Sequence, residues 1–115
     1  MSLGSAQREF TFHMASLIKH IYAQGYEATV GDFFRDPRSH GKMGEEGPYG
    51  RDKSAHKQRL AADLNLFKDG EYLTETSDHR RFGDYWKALH PDNRWGGDFS
   101  KPDGNHYSRR FGGVS

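Results

Sequence analysis

Apolar positions along the chain follow two different periods. Phe10, Met14, Leu17, Ile18 and Ile21 recur at three- and four-residue steps, which is one face of a helix. This predicts a helix over 6–24, closed by Gly25. Tyr26, Val30, Phe33 and Phe34 predict a short strand with an irregular end. Over 58–67 the period changes: Leu60, Ala62, Leu64 and Leu66 fall on alternate positions, the mark of a half-buried strand. Asp69-Gly70 predicts a turn. Ser77 is the expected N-cap of a second helix running to about Leu89, with Phe82, Trp86 and Leu89 on its inner stripe and Pro91 just beyond it. Trp95–Phe99 and Asn105–Tyr107 predict short strand or turn pieces. Residues 35–53, dense in Gly, Pro and charge, predict a long loop, and such loops in compact domains are usually functional or mobile. The order helix, strand, long loop, strand, helix, strands predicts an α+β fold, a small antiparallel sheet flanked by helices.

Composition narrows this. A length of 115 residues predicts one domain, here 6–115, with Met1–Ser5 read as a tag remnant outside the fold. A hydrophobic fraction of 33 % and a mean hydropathy of −1.02 are polar for a globular protein. Eight Phe, six Tyr and two Trp nevertheless supply a small core, to which a bound metal would add stability. The net charge of +1 argues against a dedicated nucleic-acid binder. The local basic excess from Arg35 to Arg59 reads as a solvated loop surface. The absence of cysteine excludes disulfide scaffolds and cysteine-based zinc sites. No apolar run is long enough to span a membrane, and no signal-peptide core follows the start. The expectation is a monomer that stays in the cytoplasm until something releases it.

Any metal must then be held by histidine and carboxylate. His56 and Asp63, joined downstream by His106, can fill three corners of a tetrahedral zinc site and leave the fourth open, the arrangement of a catalytic ion. Asp103, three residues before His106, stands where a general base is wanted. His56 and Asp63 cannot meet one ion on a single helix or a single straight strand. A turn near Lys57–Arg59 is therefore required, with Asp63 on the polar face of the following strand. Arg35 is a candidate for stabilising an oxyanion. His13 and His20 are about 10.5 Å apart along a helix, too far to share an ion, and are read as ordinary helix residues. Each residue also has a plainer reading: His56 as a loop histidine, Asp63 as an exposed strand position, Asp103-Gly104 as a turn, and Trp95-Gly96-Gly97 as a core tryptophan beside a glycine-permitted turn.

Taken in order, Ser54-x-His56-x-x-Arg59-x-Ala61-x-Asp63, Leu64-Asn65-Leu66-Phe67, Trp95-Gly96-Gly97-Asp98-Phe99 and Asp103-x-x-His106-Tyr107 resemble the M15 family of zinc peptidases. That family holds D-Ala-D-Ala carboxypeptidases and the L-alanyl-D-glutamate endopeptidases of phage endolysins, and the similarity covers roughly residues 10–110. The resemblance implies a hedgehog/DD-peptidase-like fold and one zinc ion on His56, Asp63 and His106. It implies Asp103 as the catalytic acid/base, Ser54 as a support behind the ligands and Trp95 packed beside them. It also implies the peptidoglycan stem peptide as substrate. The compact chain and the Trp-Gly-Gly-Asp segment look most like the endolysin branch, whose members reach the wall after the inner membrane is opened. Two positions depart from the family: Arg59 stands where Gly is usual and so becomes a candidate substrate contact, and Ser108 stands where Glu is usual. The competing readings are a carboxypeptidase, a non-catalytic zinc-bearing wall-binding or structural phage protein, and a small domain whose histidines are incidental.

Overall fold

A computed structural model describes residues 2–31 and 58–115. The expected loop over 35–53, together with Phe33 and Phe34, lies outside these. Helix α1 (Leu3–Ala23) buries Ala6, Phe10, Met14, Leu17 and Ile21. It starts earlier than the apolar period predicts. The Ser2 hydroxyl accepts from the Ser5 N–H at 3.1 Å, and Leu3 packs against the core. Residues Ser2–Ser5, expected to stand outside the fold, therefore form the capped first turn of the helix.

The helix ends as Gly25 predicts. Gly25 has φ +86, its N–H donates to the Tyr22 carbonyl, and the Tyr26 N–H reaches back to that of Ile21. This pair of bonds is a Schellman closure, and it turns the chain into strand β1 (Glu27–Val30).

Strand β2 (Ala61–Lys68) is the spine of the sheet, with strand order β1-β2-β5-β4, where β4 is Asn93–Trp95 and β5 is His106–Arg109. A third strand, β3 (Glu71–Leu73), pairs with β2 through a two-residue hairpin closed by Lys68 opposite Glu71. Asp69 (φ 53) and Gly70 (φ 80) are both left-handed, as a turn matching the twist of its strands requires. β3 is too short and too exposed to leave an alternation pattern in the sequence.

Helix α2 (Arg80–Leu89) follows a 3-10 turn, Thr76–His79. Ser77, expected as its N-cap, lies inside that turn instead. Glu75 caps that turn: its N–H donates to the Asp78 carboxylate at 3.0 Å, and the Asp78 N–H returns to the Glu75 carbonyl, while the N-cap of α2 itself is His79, which makes no side-chain capping bond. A carboxylate three residues on is the stronger acceptor, so it fixes the start of the turn.

Phe10 meets Trp86 edge to face at 5.5 Å and Trp86 meets Tyr107 at 6.3 Å. These rings join α1, α2 and β5 (His106–Arg109). The Trp86 Nε1–H donates to the carbonyls of Arg94 and Ser108, tying α2 to β5 and to β4 (Asn93–Trp95). His20 stacks on Tyr85 with centroids 3.9 Å apart, and His13 sits beside Trp86 and His90. Both histidines serve helix packing. Buried Arg109 on β5 pairs with Glu9 on α1, and that bond holds the Glu9 carboxyl below its usual range. Among the described residues no helix is long and apolar enough to cross a membrane.

Candidate metal centre

The alternation of β2 sets the site. Ala62, Leu64 and Leu66 are fully buried, so the residues between them, Asp63 and Asn65, look out from the other face. They are half-buried. β5 runs antiparallel beside β2 with His106 directly opposite Asp63, and such cross-strand pairs bring side chains together. His106 Nδ1 stands 3.6 Å from Asp63 Oδ1. Two donors on a tetrahedral zinc, with bonds of about 2.0–2.2 Å, lie about 3.3–3.6 Å apart.

Asp103 enters from the turn before β5. Its N–H donates to the Gly96 carbonyl at 2.9 Å and its carbonyl accepts from the His106 N–H at 3.1 Å. The Trp95 Nε1–H donates to the next carbonyl, that of Gly104, at 2.8 Å. The turn is thereby held from both ends. Ligand atoms of Asp63, Asp103 and His106 all lie within 4.8 Å of one another. His106 is buried, Asp63 half-buried and Asp103 exposed, so the cluster opens to solvent on the Asp103 side. Its oxygen and nitrogen donors suit zinc, and the separation of Asp63 and His106 fits one ion.

The Trp95-Gly96-Gly97 segment has a steric cause. A Cβ on Gly96 would stand 2.1 Å from the Asp103 carbonyl oxygen and 2.8 Å from the His106 Cβ. One on Gly97 would stand 2.3 Å from the Trp95 ring, and Gly83 of α2 meets the same ring as closely. Trp95 can therefore lie flat beneath the Asp103–Gly104 turn, with the Arg80 guanidinium 5.2 Å from its ring centre.

The required turn before Asp63 is present. Gln58 and Arg59 form it, the Gln58 carbonyl accepts from Gln7 Nε2 at 2.8 Å, and Arg59 has φ 60. This is left-handed backbone, which glycine adopts at no steric cost and arginine does not. His56, Ser54 and Arg35 lie outside the described residues, so of the expected ligands the structure brings together Asp63 and His106, with Asp103 beside them.

A family model described as D-alanyl-D-alanine carboxypeptidase, from the M15 peptidases, matches residues 49–109. The chain belongs to the M15 peptidase family. No curated protein matches it. The matched span runs from the segment holding Ser54 and His56 through Asp63, Trp95, Asp103 and His106, and takes in the whole β2–β5 framework of this M15 peptidase. Arg59 keeps the backbone geometry a glycine would have, so the departure from the expected pattern changes the side chain and not the turn. Ser108 is fully buried between Ala61 and Arg94 in the sheet register, and that position gives this M15 peptidase site no charged group.

His79 escaped the sequence reading. It is buried, and its Nδ1 lies 2.7 Å from the Tyr107 hydroxyl. Burial lowers its pKa to about 4, opposed by Asp78, and burial raises that of Tyr107. A lone histidine ahead of a helix carries no sequence signal for such a contact. In the folded state the imidazole binds its proton less readily than in the unfolded chain, whose value is near 6.5. The neutral form thus contributes stability above about pH 6.5 that is lost as pH falls towards 4, on the order of 2–3 kcal/mol. Thermal unfolding from pH 7 to 4 is expected to show this loss, and His79→Gln is expected to flatten that part of the profile. A parallel profile in the variant would remove His79 as the cause.

Proposed function

We propose that this M15 peptidase is a zinc-dependent peptidoglycan peptidase that cuts the stem peptide, acting as an L-Ala-D-Glu endopeptidase of the phage endolysin type. The observation that carries the reading is the convergence of Asp63, Asp103 and His106 at one point on the open face of the sheet. His56, Asp63 and His106 would hold the ion, which when bound lowers the pKa of water and polarises a peptide carbonyl. Asp103, exposed and anchored through its backbone, takes the proton from the attacking water and delivers it to the leaving amine. Trp95 fixes the turn that aims Asp103, and Ser54 supports the metal site from behind the ligands. Arg35 and Arg59 are the cationic residues offered to substrate. The protein acts as a monomer, is made in the host cytoplasm, and works on the wall after release.

The test uses purified cell walls. Muralytic activity should disappear with chelator and return with zinc, and new N-termini should appear on D-Glu. The family description favours a second reading, a D-Ala-D-Ala carboxypeptidase, and for that released D-Ala would be the product. Native protein without zinc, together with unchanged activity in His56→Ala, would overturn the mechanism.

A further inference from the structure

A cleft of about 250 Å³ opens beside Asp103, between the end of β3, the 3-10 turn before α2 and the Asp103–Asn105 turn. Its charge is one-sided. Glu75 and Asp103 both line it, and no lysine or arginine does so among the described residues. Asn65 and Asn105 add neutral amides with both acceptor oxygens and N–H donors; the Tyr72 hydroxyl donates to Asn65 Oδ1 at 3.4 Å and Asn65 Nδ2 donates to the Thr29 hydroxyl, bracing that wall. His79, only 3 % exposed, completes the lining. Its Nδ1 is engaged by the fully buried Tyr107 hydroxyl. Donation from that hydroxyl to Nδ1 satisfies the phenol and leaves the ring proton on Nε2. Nε2 has no hydrogen-bond partner among the described residues, so the imidazole offers the cleft an N–H donor.

We propose that this cleft is the subsite for a substrate residue bearing a side-chain ammonium, with Glu75 as its charge partner and His79 Nε2 donating to that residue's carbonyl oxygen. A carboxylate placed here would meet two like charges, and an apolar side chain would strip water from polar groups without replacing its hydrogen bonds. An ammonium finds the carboxylates of Glu75 and Asp103 and amide oxygens around it, and a peptide carbonyl beside it matches the imidazole donor. In a stem peptide the residue that fits is the diamino acid, which stands two positions from either bond considered above. The proposal rests on the peptidase reading for its substrate and adds how that substrate is selected.

The probe is γ-D-glutamyl-L-lysine amide, which contains neither scissile bond, beside the same compound acetylated on the side-chain amine. Glu75 and Asp103 are exposed, so calorimetric binding to the zinc-loaded full chain is expected to favour the free amine about two- to fivefold. Glu75→Gln, whose amide oxygen can still accept from the Asp78 N–H in the capping box, is expected to reduce that preference, with Asp103 the carboxylate that remains. The preference of the unaltered protein should also shrink as salt rises. Equal affinities in the unaltered protein, binding of neither probe, or an undiminished preference in Glu75→Gln would each overturn the proposal. Turnover of whole stem peptides by the same preparations reports separately. Amine-selective binding without cleavage overturns the peptidase reading alone, and cleavage without amine preference overturns the subsite alone.

Discussion

Asp103→Asn is expected to lower kcat by about 10²–10⁴-fold, the range set by loss of a positioned general base, with zinc still bound. Asparagine has nearly the same shape as aspartate, and the backbone bonds from this residue to Gly96 and His106 do not involve the side chain. The turn should therefore stay in place while the proton acceptor disappears. Metal content and stem-peptide turnover, measured on one preparation, separate three outcomes. Lost turnover with zinc retained assigns the base. Lost zinc would make Asp103 a ligand, which its proximity to Asp63 and His106 permits geometrically. Unchanged function would point to a zinc-bearing binding protein with no catalysis.

The second large effect is expected at a residue with no reactive group. In Gly96→Ala the new methyl would stand 2.1 Å from the Asp103 carbonyl oxygen. That atom is backbone, so the whole Asp103–Gly104 turn has to move. Overpacking of this kind costs roughly 1–3 kcal/mol, and a displacement of about 1 Å at reacting groups can cost about 10²-fold in rate. Thermal unfolding and stem-peptide kinetics should both fall. Gly70→Ala is the control: its φ of +80 makes alanine strained, yet nothing lies within 4 Å of the added atom. That variant should lose about 1–2 kcal/mol and keep its kcat. Equal losses of kcat in the two variants would show that Gly96 acts through stability alone.

Much of this architecture is legible in the sequence because it is local. The helical stripe from Phe10 to Ile21, the alternation around Asp63 and the Asp69-Gly70 turn each depend on neighbours a few residues away. The need for a turn before Asp63 follows from strand geometry once His56 and Asp63 are taken to share one ion, and Arg59 adopts that turn. The pairing of Asp63 with His106 required more, because no local pattern records which strand lies beside β2. There the ordered resemblance to the M15 family supplied what periodicity could not. The cap of α2 falls at His79, two residues beyond Ser77, because a 3-10 turn capped by Glu75 and Asp78 takes up Thr76–His79 first. The tight fit of Gly96 against Asp103, and of His79 against Tyr107, left no local trace, since both are contacts between segments distant in the chain.

Direct opposition of Asp63 and His106 also has a consequence for timing. A hairpin, a helix and an outer strand all intervene between β2 and β5. Closing so long a loop costs chain entropy before the sheet can repay it. The early, local pieces of this fold, α1 and the β2–β3 hairpin, contain at most one member of the cluster. The reactive face therefore depends on a pairing between strands distant in sequence and cannot form within α1 or the β2–β3 hairpin alone.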